Sequence, residues 1–131
     1  MYKPKILIVE DEAIIAFEIK TIMESNGYNV VKIVNTGEQA IKTALKEKPD
    51  IILMDIRLKG KIDGIEAASR IVEKIKIPIV YLTGNSHLKN SSRLLATNPV
   101  DVLTKPVPDW QLNEVITWVI KHRVPKEFTK T

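Results

Sequence analysis

The chain predicts a doubly wound α/β fold built on one five-stranded parallel sheet, and three observations carry that prediction. Short runs rich in β-branched residues alternate with segments of helical periodicity along the whole chain, a pattern that requires a parallel sheet covered by helices on both faces. No internal repeat, heptad array or low-complexity tract competes with it. The length of 131 residues and the 44% apolar content suit a single domain with a buried core rather than two.

Taken in order, Lys5 to Val9 reads as the first strand. Ile15, Ile19, Ile22 and Met23 then form a helical stripe that packs on the sheet. Val30 to Val34 is the second strand, and Thr36 with Gln39 has capping-box spacing, so the second helix starts there and turns Ala40, Ile41, Ala44 and Leu45 inward. Ile51 to Met54 is the third strand, and Asp63 with Glu66 opens the third helix. Pro78 marks the start of the fourth strand, Ile79 to Leu82. From Ser86 to Asn98 the main apolar residues are Leu88, Leu94 and Leu95 among Ser, Asn, Lys and Thr, so the fourth helix is expected to be short or labile. Val100 to Leu103 is the fifth strand. Asp109 is expected to cap a last helix carrying Leu112, Val115, Ile116, Val119 and Ile120, which fades near Val124-Pro125. The domain is expected over residues 1–123, with 124–131 a mobile polar tail or a truncated linker.

No run approaches the roughly 20 apolar residues of a membrane span, and Met1-Tyr2-Lys3-Pro4 lacks the layout of a secretory signal, so a cytoplasmic protein without membrane contact is expected. The absence of cysteine excludes disulfides and thiolate metal sites, so any metal must bind through oxygen or imidazole. The net charge of +4 comes from lysines spread along the chain, with only a mild excess after Lys121. With no groove-reading motif beside it, direct nucleic-acid binding is not expected.

The chemistry gathers at strand ends. In an open parallel sheet the ligand site lies beyond the carboxyl ends of the strands, and Glu10-Asp11, Asp55, Thr83 and Lys105 follow strands one, three, four and five. Carboxylates packed together repel unless a cation neutralises them. Mg²⁺ suits such a site, because it needs only one or two carboxylates among about six oxygens. Asp11 and Asp55 are the expected ligands, with Glu10 assisting. Asp55 is central enough to attack phosphorus and form an aspartyl-phosphate, with Thr83 and Lys105 on the phosphoryl oxygens. Seen alone, Asp11 could simply cap the first helix and Asp63-Gly64 a turn. His87 and His122 lack partners at ligand spacing and receive no role. Trp110 and Trp118 are expected to cover core and rim.

These residues resemble those of response-regulator receiver domains, the phosphoacceptor half of two-component signalling. The resemblance spans about residues 4–122 and rests on Ile6-Leu7-Ile8-Val9-Glu10-Asp11-Glu12, Ile51-Ile52-Leu53-Met54-Asp55, Asp63-Gly64-Ile65-Glu66-Ala67, Leu82-Thr83-Gly84 and Leu103-Thr104-Lys105-Pro106. It implies a flavodoxin-like sheet of order 2-1-3-4-5. It also implies that a histidine kinase or phosphotransfer protein phosphorylates Asp55, and that Mg²⁺ is held by Glu10, Asp11, Asp55 and the Arg57 carbonyl. The Lys105-Pro106 bond would be cis.

Two departures stand out. Receiver domains that resemble this chain usually carry an aromatic three residues before the lysine, whose rotation reports phosphorylation; here that residue is Val102. The loop Ile56-Arg57-Leu58-Lys59-Gly60-Lys61-Ile62 is one residue longer than the common pattern and lacks its proline, so a looser, more basic site mouth is expected. Arg57 and Asn85 occupy the positions that, in the family, tune phosphoryl lifetime. An atypical output surface between helices four and five follows, serving an unidentified output partner or a homodimer. The expected function is a phosphorylation-operated switch, not an enzyme beyond slow self-dephosphorylation. A phosphate-independent scaffold is the alternative, and a Mg²⁺-dependent phosphohydrolase is less favoured because Ile56-Arg57 supplies no second acid.

Overall fold

A computed structural model describes residues 2–122; the tail expected over 124–131 lies outside them. The elements run β1 (Lys5–Val9), α1 (Ala13–Ser25), β2 (Asn29–Val34), α2 (Gly37–Glu47), β3 (Ile51–Asp55), α3 (Gly64–Lys74), β4 (Ile79–Thr83), a 3-10 turn (Ser86–Asn90), α4 (Ser92–Leu95), β5 (Asp101–Thr104) and α5 (Asp109–His122). All strand pairs are parallel, in the order β2-β1-β3-β4-β5.

The two-residue period of each strand divides the core in two. Leu7, Val9, Ile52, Met54 and Tyr81 face α2, α3 and α4. Ile6, Ile8, Ile51, Leu53, Val80 and Leu82 face α1 and α5. Because β1, β3 and β4 are covered on both faces, almost every residue in them is buried, which is why they read as unbroken apolar runs.

Capping follows the chemistry expected at two helices. The Thr36 hydroxyl accepts from the Gln39 N–H at 3.1 Å, and the Asp63 carboxylate accepts from the Glu66 N–H at 2.8 Å. Asp109 does not cap α5. The Pro108 carbonyl accepts the Leu112 N–H, so Asp109 already lies in the first turn, where its charge favours the helix dipole. Trp110 and Trp118 lie at the rim rather than over the core, 66% and 45% exposed, because Leu112, Val115, Ile116 and Val119 occupy the sheet-facing side of α5. Trp118 stacks on His122 instead, with ring centroids 4.4 Å apart.

Ladder hydrogen bonding carries β3 and β4 one residue further than sequence periodicity suggests. Asp55 pairs with Leu82, and Thr83 with Thr104, so both polar residues end their strands inside the sheet rather than in the loops beyond. The β3–α3 loop is not loose either. Lys59 bridges Thr36 in parallel, and the Lys61 N–H donates to Glu38 at 3.2 Å, which pins the extra residue against the start of α2. Gly60, at φ +95°, makes that excursion possible.

Gly64 closes the loop against the end of β3. Its N–H donates to the Ile56 carbonyl at 2.7 Å, and a Cβ there would stand 2.1 Å from the Asp55 carbonyl oxygen. Since the obstacle is backbone, Gly64→Ala is expected to lower unfolding free energy by about 1 to 3 kcal/mol; an unchanged urea midpoint would contradict this. A second expectation concerns alkali. Burial, the largest influence, pushes the Tyr81 phenol up to about 12. Its contribution is fully present below the unfolded value of about 10 and is lost as pH rises through about 12. Across that window wild type should lose stability more steeply than Tyr81→Phe in denaturant titrations.

Candidate functional site

Chain direction changes at the middle of the sheet: β1 is followed by α1 on one face, while β3 is followed by α3 on the other. The crevice left between β1 and β3 is where an open α/β sheet binds its ligand. Glu10, just past β1, and Asp55, ending β3, are buried there at 2% and 6% exposure, with the half-buried Asp11 beside them. Carboxylate oxygens of the three lie within 4.8 Å of one another.

Lys105 is brought to this group from the other side of the site. Its N–H donates to the Thr83 carbonyl at 2.8 Å, extending the β4–β5 ladder, and its peptide bond to Pro106 is cis. From that anchor the ammonium donates to Glu10 Oε1 at 2.6 Å and to Asp55 Oδ2 at 3.0 Å. Burial acts to lower the Lys105 pKa, but the hydrogen bonds and charges of Glu10 and Asp55 together outweigh it, and the net shift is upward. The second Glu10 oxygen accepts the Glu12 N–H at 3.1 Å, which fixes that carboxylate. Among the described residues, Asp55 Oδ1 has no hydrogen-bond partner and Asp11 no cation within 4 Å.

A cavity of about 390 Å³ opens above this cluster, lined by Asp11, Asp55, Arg57, Thr83, Asn85 and Lys105 among others. Thr83 is buried and its hydroxyl accepts from the Asn85 N–H at 3.0 Å. The Asn85 side-chain oxygen is engaged with the His87 N–H at 3.0 Å. Arg57 is exposed at the cavity rim. Val102 is half-buried, faces the α3 and α4 side, and does not line this cavity.

The donor set fits a hard cation. Three carboxylates share one ammonium, which leaves two formal negative charges uncompensated in a crevice too small for the groups to separate. A divalent ion bound by oxygen would balance them. Glu10, Asp11 and Asp55 offer the carboxylate oxygens, and Arg57 follows two residues after Asp55.

Two side-chain pairs behind the site were not anticipated. Arg93 of α4 forms a two-pronged ion pair with Asp63, 3.2 Å for each contact. Burial acts to raise the Asp63 pKa, but the Glu66 N–H and Arg93 outweigh it and hold the carboxyl low. The buried Tyr81 hydroxyl meets Thr97 Oγ1 at 2.7 Å. Nothing local signalled either pair: Arg93 and Asp63 lie thirty residues apart, and Tyr81 and Thr97 sixteen.

Comparison with known proteins agrees with this geometry. The family model described as response regulator receiver domain matches residues 6–117. The transcriptional regulatory protein PdtaR of Mycobacterium tuberculosis is 35% identical over 102 residues, covering 78% of this chain and 49% of that protein. The alkaline phosphatase synthesis transcriptional regulatory protein PhoP of Bacillus subtilis is 33% identical over 118 residues, covering 89% of this chain and 48% of its own length. This chain thus spans about half the length of the curated relatives it matches. Among solved structures, the signal receiver domain of a modulated diguanylate cyclase from Desulfovibrio desulfuricans G20 superposes with a TM-score of 0.84 at 35% identity, covering 92% of this chain and 95% of that one. Among the described residues no helix is long and apolar enough to cross a membrane.

Asp11 is the carboxylate of the cluster that Lys105 does not reach. Its removal should relieve repulsion, so Asp11→Asn is expected to raise stability in the presence of a chelator by up to about 1 kcal/mol. A lower urea midpoint for the variant under those conditions would show that Asp11 is held by attraction instead.

Proposed function

The chain belongs to the response-regulator receiver family, and on that premise we propose that Asp55 accepts a phosphoryl group from the phosphohistidine of a kinase or phosphotransfer protein. An Asp55 carboxylate oxygen forms the new O–P bond as the donor's P–N bond breaks, and the departing imidazole takes up a proton. One observation carries the reading: Asp55 is buried at the floor of an open cavity, oriented through Oδ2 by Lys105, with Oδ1 left unpartnered. That is the arrangement a carboxylate nucleophile requires.

Glu10, Asp11, Asp55 and the Arg57 backbone carbonyl would hold Mg²⁺. The ion's contribution would be to offset the charge of carboxylates and phosphoryl group together. Lys105 would remain beside the modified Asp55 and pair with phosphoryl oxygen, while the Thr83 hydroxyl would exchange the Asn85 N–H for it. Arg57 and Asn85 at the rim would govern water access, and with it the lifetime of the acyl phosphate. Phosphorylation adds about −1.5 to −2 charges to the crevice, enough to reorganise Thr83 and the loops beside it.

The result is a cytoplasmic binding module, seated in residues 1–123, whose partner affinity changes with phosphorylation; its own chemistry extends to slow loss of its phosphoryl group. Because this chain covers only about half of each of these regulators, their output partners do not carry over to it. Exposed Leu95 and Trp118 offer the face around α4 and α5 to a partner or a second copy. The second reading, a scaffold indifferent to phosphate, draws on Val102, which has no ring to swing.

Intact-mass measurement after incubation with acetyl phosphate, with and without Mg²⁺, tests the leading reading. A Mg²⁺-dependent gain of one phosphoryl group in wild type, absent in Asp55→Ala, is the expected result. Failure to gain it while a control receiver does, even when phosphohistidine donor is supplied, would favour the scaffold.

A further inference from the structure

The cavity, the acidic cluster and the α4–α5 face all belong to the receiver reading already given. The buried hydroxyl pair beneath α4 does not. We propose that Tyr81 and Thr97 form a latch that holds α4 in place and releases it when Thr83 engages a phosphoryl group; the release step rests on the reading of Asp55 above.

The position of Tyr81 makes it the residue to take over from the aromatic missing at 102. Tyr81 lies directly across from Val102 in the β4–β5 register, so both side chains stand on the same face of the sheet, and both pack in the cluster that includes Leu94 of α4. Tyr81 also precedes Thr83 by two residues in β4, which places the ring and the site hydroxyl on one side of one strand. A ring that would otherwise come from β5 is thus supplied from β4, one strand nearer to Asp55.

The hydrogen bonds give the latch its direction. Thr97 has one hydroxyl proton, and it goes to the Leu94 carbonyl at 2.6 Å. Tyr81 therefore donates to Thr97 Oγ1 at 2.7 Å, and a continuous chain runs from β4 to the last residue but one of α4. Both side chains are buried, Tyr81 fully and Thr97 to 4% exposure. Four residues make no helix that is stable alone, so α4 depends on what holds it. Leu94 supplies apolar contact, and the Arg93–Asp63 pair is exposed enough to be screened by solvent. Among the described residues, the Tyr81–Thr97 bond is the buried polar tie between α4 and the sheet.

Burial keeps the Tyr81 proton in place throughout the physiological range, so the latch responds to geometry rather than to pH. The Thr83 hydroxyl now accepts from the Asn85 N–H, at the start of the segment that leads to α4. Turning that hydroxyl toward a phosphoryl oxygen loosens the segment at one end and shifts the end of β4 relative to Thr97 at the other. The long Tyr81–Thr97–Leu94 chain tolerates little of either.

Hydrogen exchange over residues 92–98 tests this in wild type, Tyr81→Phe and Thr97→Val, each with and without acetyl phosphate and Mg²⁺, with intact mass recorded on the same samples. Without phosphodonor, each variant should exchange this segment about fivefold to tenfold faster than wild type, while β1 and β3 stay protected. Phosphorylated wild type should show the same rise, and the variants little further change. Unaltered exchange in both variants would overturn the latch, as would a wild type that gains its phosphoryl group without any change over 92–98. Absence of the mass gain, with a phosphohistidine donor supplied as well as acetyl phosphate and a control receiver modified in parallel, would instead overturn the reading of Asp55 and the release step with it.

Discussion

The ammonium of Lys105, set between Glu10 and Asp55, is the interaction on which the site depends. Three carboxylate groups within 4.8 Å of each other are an unstable arrangement in a buried crevice. Lys105 satisfies two of them at 2.6 and 3.0 Å and leaves Asp11 and one oxygen of Asp55 exposed to the cavity. The site is therefore stable enough to fold yet still short of positive charge. That shortfall is what a divalent ion bound by oxygen would offset.

Everything that positions these groups follows from the parallel sheet. Because β1 and β3 are neighbours whose following helices leave on opposite faces, their carboxyl ends frame a crevice that no helix covers. Burial of β1, β3 and β4 on both faces makes their ends rigid, and ladder pairing takes Asp55 and Thr83 into the sheet itself. Gly64 then lets the next loop fold back to within contact of the Asp55 carbonyl, where any side chain would collide. Asp55 is thus held from in front by Lys105 and from behind by backbone.

On the latch proposed above, the same frame lets Tyr81 stand in for an aromatic at position 102. A switch of this kind needs a side chain that senses Thr83 and touches the mobile surface. On a sheet, an in-register neighbour on the next strand occupies almost the same place as the residue it replaces. Tyr81 stands in register with Val102, two residues before Thr83, and bonds Thr97 just past the one-turn α4.

The fold class and the residues that gather at the crevice were legible in the chain because both rest on local patterns: apolar runs that mark buried strands, helical stripes, and polar residues placed directly after those runs. Thr36 and Asp63 were readable as caps for the same reason, since a cap and its N–H lie three residues apart. Asp109 misled because Pro108 can also supply the first carbonyl of the helix, and the Trp110 and Trp118 rings because helical spacing does not say which side of α5 meets the sheet. The extra loop residue read as slack until α2 was beside it, where Lys59 finds Thr36 and Lys61 finds Glu38. Arg93 with Asp63, Tyr81 with Thr97, and Lys105 with Glu10 are partners 30, 16 and 95 residues apart. Chain sequence alone determined which strands form and which residues end them; only tertiary structure decided these pairings, because a hydrogen bond between distant residues depends on strand order and register, which no local pattern encodes.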